Sequence, residues 1–338
     1  MEVDGTPSAA IAYPDLSGEV HPGDPVILNT TAVELGLGTG GLHVVVAVEG
    51  RETDGDAPGR VMKARYTPMQ APVATVEETD AARLEGSAGL RRTPVVCAPL
   101  HSMIGPIAAG AKRAGGARVV YVMTDGAALP GGFSRLVPEL RDADLLDGWI
   151  TCGQAFGGER EAVTIWTGLL AAVELMGAEL IVVADGPGNL GTETTWGVTA
   201  LGSGHAMMAA RALDGQPVPA LRVSFADERE RHRGVSHHSL TILADVCTVD
   251  VNVPVPALED EGQRESVWSA LRGRKLEERH HLVEVDGSPA IEELRERDVD
   301  VRSMGRGIDD DPAFFLAAGA AGVLGGRMAA ENRRWRSS

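Results

Sequence analysis

From Thr93 onward the sequence alternates short, unbroken apolar segments with segments long enough to form helices. The apolar segments include PVVCA, ARVVYVMTDG, GWITCG and AELIVVADGPG, and helix-length segments such as HSMIGPIAAGAKRAG and EAVTIWTGLLAAVELMG lie between them. Unbroken apolar strands are typical of parallel sheets, because helices cover both faces of such a sheet. We therefore predict an α/β domain over residues 93–330, with a mostly parallel Rossmann-like sheet and helices on both faces.

The front of the chain has a different pattern. Over residues 1–70 the apolar runs are short, and turn clusters such as HPGD, GLGTGG and TDGDAPG separate them. This pattern indicates a small N-terminal β-barrel or sandwich. Pro68 and Pro72 then interrupt the pattern, which predicts a linker with a polar helix over residues 71–92. A last helix is expected to begin at Pro312, and residues 331–338 are assigned to a C-terminal tail.

Charge and composition limit the class of protein. With 43% hydrophobic residues the chain has enough apolar material for a core. Its net charge of -17 argues against nucleic-acid binding and against binding to anionic membranes. The start MEVDGTPSAA lacks the features of a secretory signal, and the longest uncharged apolar stretch is shorter than a membrane span requires. We expect a cytoplasmic protein.

Polar side chains follow several predicted strands. Because ligands of open parallel sheets bind beyond the carboxyl ends of the strands, these side chains are site candidates. His101, Asp125 and Asp185 are the candidates for proton transfer, because imidazoles and carboxylates in a cleft can be tuned towards neutral pH. Asn189, in the loop after the strand that ends at Asp185, is a candidate for substrate binding. The alternative is that such residues only terminate strands and cap helices.

The segment RHRGVSHHSLT, residues 231–241, is strongly basic in an acidic chain. Ser236 is predicted to cap a helix, which would place His237 and His238 in the first turn, where backbone N–H groups favour an anion. With Arg231 and Arg233 just before it, the segment predicts a receptor for phosphate or carboxylate. The alternative is a solvated surface turn whose charge Glu228 and Glu230 balance.

A divalent metal is a competing use of the same residues. His101, Asp125 and Asp185, with one or two of the histidines at 232, 237 and 238, would form a nitrogen and oxygen ligand set. The weak metal candidates are His232, His237 and Asp185, since no HExxH or HxH spacing is present. The cofactor therefore stays unknown.

Two other chemistries are disfavoured. Cys152, at a strand end, is a candidate nucleophile, although a buried and inert cysteine is commoner. GLGTGG formally matches a dinucleotide-binding fingerprint. A strand follows it where the fingerprint needs a helix, so a nucleotide cofactor is not expected.

Several phrases resemble an uncharacterised bacterial family, the domain of unknown function family 3866. They include VILNTTAVELGLGTGGLHVVVA, VVYVMTDGAALPGGFS and SFADERERHRGVSHHSLT, and the resemblance extends from Asp15 to Phe315. It implies that the front segment and the α/β region form one family unit, but no activity or site residues. A fainter similarity, through DGWITCG and VVADG, is to the substrate-binding component of glycine and betaine reductases.

These observations support three hypotheses. The first is a hydrolase- or lyase-type enzyme that acts on a small anionic metabolite at the carboxyl edge of the sheet. The second is a non-catalytic ligand-binding or regulatory protein with the same cleft, and the third is a scaffold subunit. A homodimer is compatible with all three.

Overall fold

The computed structural model describes residues 1–3, 5–37, 40–51 and 58–337. The front segment contains short strands and two single-turn helices. The strands are β1 (Glu2–Val3), β2 (Thr6–Pro7), β3 (Ala10–Ile11), β4 (Val26–Asn29), β5 (His43–Val48), β6 (Val61–Lys63) and β7 (Ala71–Val73), and the helices are α1 (Pro14–Ser17) and α2 (Thr31–Glu34).

Strand β5 is the centre of a three-stranded sheet in the front segment, parallel to β3 and antiparallel to β4. Strands β1 and β2, and strands β6 and β7, form two further antiparallel pairs. A barrel or sandwich is not confirmed by the described strands, which form these separate small sheets. Residues 53–57 of the TDGDAPG turn and residues 38–39 of GLGTGG lie outside the described residues.

The expected linker helix is two short helices, α3 (Val76–Thr79) and α4 (Ala81–Glu85). Thr75 and Glu78 form a capping box at the start of α3, and Asp80 separates the two helices. The pairing of β6 with β7 crosses residue 70, so the front segment and the expected linker share a sheet.

A six-stranded sheet of parallel strands forms the centre of the protein. Along the sheet the order is β11-β10-β9-β12-β8-β13, and neighbours in that order are hydrogen-bonded. The strands are β8 (Pro94–Cys97), β9 (Val119–Thr124), β10 (Gly148–Cys152), β11 (Arg160–Ala162), β12 (Leu180–Asp185) and β13 (Gln216–Pro219). The parallel α/β prediction is therefore confirmed.

The register aligns the carboxyl ends of the central strands. Asp185 at the end of β12 lies opposite Thr124 at the end of β9, and Val183 lies opposite Cys97 of β8. Loops that leave these strands therefore start at the same edge of the sheet.

Helices cover both faces of this sheet, because successive strand residues point to opposite sides. One face, with Val95, Val122 and Ile181, packs with residues of α7 and α8. The other face, with Val96 and Val182, packs with residues of α5 and of the last helix. The covering helices are α5 (Ile104–Gly115), α6 (Leu136–Asp142), α7 (Ile165–Glu174) and α8 (Gly202–Ala212).

The remainder of the chain adds two small sheets and four helices among the described residues. Its elements are β14 (Val223–Ser224), β15 (Gly234–Val235), α9 (His237–Thr241), β16 (Asn252–Pro256), α10 (Glu261–Gly273), β17 (His281–Val285), α11 (Ser288–Glu296) and α12 (Pro312–Ser337). Helix α9 continues into a π-helical turn, Ile242–Val246. Strands β16 and β17 pair with each other, separately from the central sheet.

Helix α12 begins at Pro312, as expected, and continues through residues 331–337, which the sequence assigned to a tail. By length and composition alone this helix could cross a membrane, but 72% of its apolar window is buried inside the protein. Glycines allow its close packing. A Cβ at Gly322 would clash with the carbonyl oxygen of Ile107 in α5. Such burial is typical of a core helix.

Candidate functional site

A cleft of about 1100 Å³ lies at the carboxyl edge of the central sheet. The loops after β8, β9, β12 and β13 form its walls, together with residues 300–304. Gly40 and Leu42 of the front segment also line it. Of the residues proposed from the sequence, five line the cleft: His101, Asn189, Arg231, His232 and His238.

The charged lining of the cleft is mainly basic. Among the described residues that line the cleft, five arginines face two carboxylates, in a chain whose net charge is -17. The arginines are Arg135, Arg222, Arg229, Arg231 and Arg302, and the carboxylates are Glu139 and Asp300. A concave surface with this excess concentrates anions, because low-dielectric walls focus the field of the lining charges.

Asp227 fixes two of these arginines. Its Oδ2 accepts hydrogen bonds from Arg222 and Arg229, each at 2.9 Å. The hydrogen bonds from Arg229 are the main cause that holds the pKa of Asp227 far below its usual range. Burial lowers the pKa of Arg222, and the neighbouring carboxylate of Asp227 opposes that effect. The two guanidinium groups are thereby held in place at the wall of the cleft.

Arg231 has a different partner from the one that the sequence suggested. Its guanidinium lies 3.2 Å from Glu193, which is on the loop after β12, rather than beside Glu228 or Glu230. Its Nε atom is buried and has no hydrogen-bond partner. Arg231 therefore holds a spare donor at the cleft.

The Ser236 side chain contacts two histidines of the basic segment. It accepts a hydrogen bond from the backbone N–H of His238, as the cap of α9, and its Oγ lies 2.8 Å from Nδ1 of His232. This turn brings together three imidazoles, which we call the three-histidine cluster: His232, His237 and His238. Ring centroids are 3.9 Å apart for His237 and His238, 5.3 Å for His232 and His237, and 5.1 Å for His232 and His238.

Burial favours the neutral form of all three imidazoles in the cluster. Burial, aided by Arg222 and Arg229, lowers the pKa of His232 to about 3. Burial and the neighbouring His237 lower the pKa of His238 to about 4. The pKa of His237 is lowered by burial and by Arg231. Each ring therefore keeps one nitrogen free to accept a hydrogen bond or to bind a metal.

His101 occupies a buried hydrogen-bond network on another wall of the cleft. Its Nε2 lies 2.7 Å from Ser134 Oγ, and its Nδ1 lies 3.3 Å from both the Tyr121 hydroxyl and the carbonyl oxygen of Asp185. Burial lowers the pKa of His101 to about 4. His101 is therefore a neutral imidazole whose two nitrogens are both engaged.

Asp185 connects two loops at the strand ends. Its carboxylate accepts hydrogen bonds from Thr124 Oγ1 at 2.7 Å, from the N–H of Gly126 at 3.0 Å and from Asn189 Nδ2 at 2.9 Å. Burial raises the pKa of Asp185, although these hydrogen bonds oppose the rise. Its carboxylate thus ties the loop after β9 to the loop after β12.

Five of the proposed residues are not part of the cleft wall: Asp125, Asp185, Arg233, Ser236 and His237. Asp125 is exposed, and its Oδ2 accepts a hydrogen bond from the N–H of Gln154 at 2.8 Å. Arg233 is also exposed, directly after His232 in the chain. The anion and proton-transfer roles of these residues stay predictions.

The mixed metal set expected from the sequence is not assembled. Within the described residues, the group of side chains suited to a metal consists of the three-histidine cluster, without His101, Asp125 or Asp185. Cys152 is buried, and burial raises the pKa of its thiol far above the usual value, which does not suit a nucleophile.

Sequence reasoning missed Arg222, Arg229 and Asp227 as one unit. Arg222 stands directly before β14 and the other two follow that strand, so no local pattern in the sequence groups them. The bend that follows β14 brings Asp227 back to Arg222, and spacing alone does not show such a bend.

These features define an α/β protein with a basic cleft at the carboxyl edge of a parallel sheet. The chain belongs to the family described as protein of unknown function (DUF3866), whose model matches residues 9–322. Comparison with functionally curated proteins and with solved structures gave no match. The similarity to the reductase component is therefore unconfirmed.

Proposed function

We propose that this protein is a cytoplasmic enzyme of hydrolase or lyase type that binds a small anionic metabolite in the cleft. The observation that carries the proposal is the excess of arginine over carboxylate in the cleft lining of an acidic chain. The cleft volume of about 1100 Å³ suits a small molecule.

Arg231 and Arg135 are the principal anion-binding residues in this proposal. Arg231 has a buried Nε without an acceptor, and its ion-pair partner Glu193 is largely exposed. Arg135 lines the cleft, and no ion pair joins it to another described residue. Because guanidinium groups bind carboxylate and phosphate through paired hydrogen bonds, both classes of anion fit.

His101 is the best placed of the three residues proposed for proton transfer. It lines the cleft, whereas Asp125 and Asp185 do not. Its Nδ1 faces the carbonyl oxygen of Asp185 and therefore donates, so Nε2, hydrogen-bonded to Ser134 Oγ, is the basic nitrogen. A proton from a bound substrate would reach Nε2 through the Ser134 hydroxyl, and Asp185 holds Asn189 of the loop after β12 in place.

Thermal unfolding at constant ionic strength tests the anion site. Inorganic phosphate, succinate and citrate are compared with chloride, for the wild type and for Arg231→Gln. We expect at least one polyvalent anion to raise the Tm of the wild type, through preferential binding to the folded state, and to raise that of Arg231→Gln less. Arg295→Gln, which removes an exposed arginine paired with Asp309, is the matched control and should respond like the wild type. Equal responses in all three proteins would contradict the proposal.

Turnover separates an enzyme from a binding protein. Once a stabilising anion class is known, phosphate esters or carboxylate esters of that class are assayed with the wild type and with His101→Gln. We expect His101→Gln to lose turnover while it keeps the rise in Tm caused by the anion. A protein that is stabilised but converts none of these esters supports the non-catalytic alternative.

A further inference from the structure

We propose that His232, His237 and His238 form a zinc-binding site with an open coordination position towards the cleft. One ring nitrogen from each lies within 4.8 Å of the others. His232 and His238 line the cleft, and His237 lies against both rings. His237 and His238 lie on the short helix α9, which continues into a π-helical turn, and His232 lies in the turn before β15.

The distances suit a small metal ion. Zinc binds imidazole nitrogen at about 2.0–2.1 Å, so tetrahedral ligand nitrogens stand roughly 3.4 Å apart. The ring nitrogens of the cluster lie within 4.8 Å of one another, and rotation of the side chains would have to bring them to that separation around the ion.

Unsatisfied buried atoms are the second observation. The Nε2 atoms of His237 and His238 are both buried and lack a hydrogen-bond partner. Buried polar atoms without partners are uncommon, and two on adjacent residues indicate an absent ligand. Nδ1 of His232 is engaged by Ser236 Oγ, which leaves Nε2 as its ligand atom and gives that ring the outer hydrogen bond that metal-binding histidines usually have.

The chemistry of the donors selects the metal. Three neutral imidazoles without a carboxylate disfavour Mg²⁺ and Ca²⁺, which require oxygen ligands. Imidazole suits zinc, copper, iron and nickel, and three protein ligands with one open position are typical of catalytic zinc. We therefore assign the site to Zn²⁺.

Three nearby arginines favour an anion at the fourth coordination position of the zinc. Arg222, Arg229 and Arg231 all raise the positive potential at the cluster. Asp227 compensates Arg222 and Arg229, and Glu193 pairs with Arg231. A divalent cation here is favoured further when an anion completes its coordination, so zinc and a cleft anion should each strengthen the binding of the other.

A catalytic role of the zinc rests on the proposed function, whereas the binding of zinc does not. Bound zinc lowers the pKa of a coordinated water to about 7 and polarises a coordinated anion. Either effect would supply the hydrolase- or lyase-type chemistry that His101 alone does not explain.

Metal binding is tested on the full chain without a histidine tag. Protein stripped with a chelator is titrated with Zn²⁺ in competition with a chromophoric chelator, and metal content after dialysis is measured by mass spectrometry. We expect one zinc per chain. His237→Ala and His238→Ala should each weaken zinc binding at least 100-fold, while His205→Ala, which removes an exposed histidine of α8, should bind like the wild type.

Cobalt provides a readout that is independent of folding stability and of activity. Co²⁺ in a tetrahedral nitrogen site gives strong visible absorption, which we expect in the wild type and in His205→Ala but not in His238→Ala. Circular dichroism of each variant establishes that it is folded. Should His238→Ala unfold, the half-buried His237 supplies the second test through His237→Gln.

The outcomes separate this inference from the proposed function. Absence of zinc binding, or equal affinity in His238→Ala and His205→Ala, overturns the zinc site even when anions raise the Tm. Zinc binding without any stabilisation by phosphate or carboxylates supports the site and contradicts the anion-binding function. Stronger zinc binding in the presence of phosphate or succinate supports both.

Discussion

The Lys63–Glu161 pair and the three-histidine cluster are both buried polar groups, but only the first is fully satisfied by the chain. Lys63 Nζ donates to the carbonyl oxygens of Ala155 and Ala162 and lies 3.4 Å from Glu161. Glu161 also accepts hydrogen bonds from Thr151 and Gly157. In the cluster, two Nε2 atoms have no partner.

This difference separates a structural polar group from a functional one. Burying a polar atom without a partner costs free energy, so a chain that only needs stability satisfies its buried donors and acceptors. The hydrogen bonds of Lys63 link the front segment to the loop before β11 and to the last residue of β11. These contacts account for the burial of Lys63. The contacts of the cluster within the chain do not account for its burial, which is why we assign a ligand to it.

The largest expected effect on the free energy of unfolding comes from removing one partner of the Lys63–Glu161 pair. Lys63→Met leaves the buried carboxylate of Glu161 without its cation, and removal of one partner of a buried ion pair costs about 3–5 kcal/mol. We expect a loss of that order in the free energy of unfolding, measured with urea, and unchanged zinc affinity. Lys63→Met combined with Glu161→Gln should recover part of the loss, because no unpaired charge remains. Weakened zinc binding in folded Lys63→Met would mean that the two groups are not independent.

Removal of zinc should have the next largest effect. A ligand at 100 times its Kd stabilises the folded state by about 2.7 kcal/mol. With free zinc at 100 times its Kd, we expect the free energy of unfolding of the wild type and of His205→Ala to fall by that amount when a chelator is added. Urea unfolding measures the change. His238→Ala, which binds zinc at least 100-fold more weakly, should lose less than about 0.5 kcal/mol on chelation. An equal loss in His238→Ala would place the ion elsewhere.

Acid should destabilise the protein through His101. Its pKa is about 4 when folded, against 6.5 for an ordinary histidine, so below pH 6.5 the unfolded chain binds a proton that the folded chain does not. Stability is therefore lost as the pH falls from 6.5 towards 4. This residue contributes about 1 kcal/mol between pH 6.5 and pH 5.5. Urea unfolding of metal-free protein should show a shallower pH dependence in His101→Gln, and the same slope in both proteins would contradict the assignment.

The smallest expected effect is at the rim of the cleft. Arg302 and Asp300 form an ion pair at 2.9 Å, with both side chains more than half exposed. Exposed pairs contribute about 0.2–1 kcal/mol, so Arg302→Gln should change the free energy of unfolding by less than about 1 kcal/mol. The same variant should reduce stabilisation by anions, measured as the rise in Tm. A large loss of stability would show that Arg302 belongs with the structural group.

Much of the fold follows from local patterns in the sequence. Unbroken apolar strands predicted the parallel sheet and its covering helices, and Pro312 marked the start of α12. The insertion of β12 between β8 and β9 could not be predicted, because strand order depends on pairings between segments far apart in the chain. The EAVTIWTGLLAAVELMG segment also mixes two elements. Its first residues belong to β11, and the helix begins after the cap at Thr164.

The sequence pointed to the edge of the sheet where the cleft lies, but not to the groups of residues that line it. The strand-end rule led to the edge that carries the cleft, and Ser236 was expected as the cap that it is. The grouping of His232 with His237 and His238 depends on the path of the chain from the turn at Glu230–His232 through β15 into α9, and spacing did not reveal it. Arg222 and Lys63 gave no local signal, since burial of a charged side chain is decided by partners distant in the sequence.

The glycine-lined contact between α5 and α12 has a consequence for synthesis of the protein. Gly110 and Gly115 of α5 meet Gly319, Gly322 and Gly326 of α12 almost backbone to backbone. The face of the central sheet that α5 and α12 share therefore lacks the cover of α12 while some 200 residues are translated between the two helices, and it gains that cover only when residues near 326 have left the ribosome. The packing of that face is therefore completed only near the end of synthesis, after nearly the whole chain has been made.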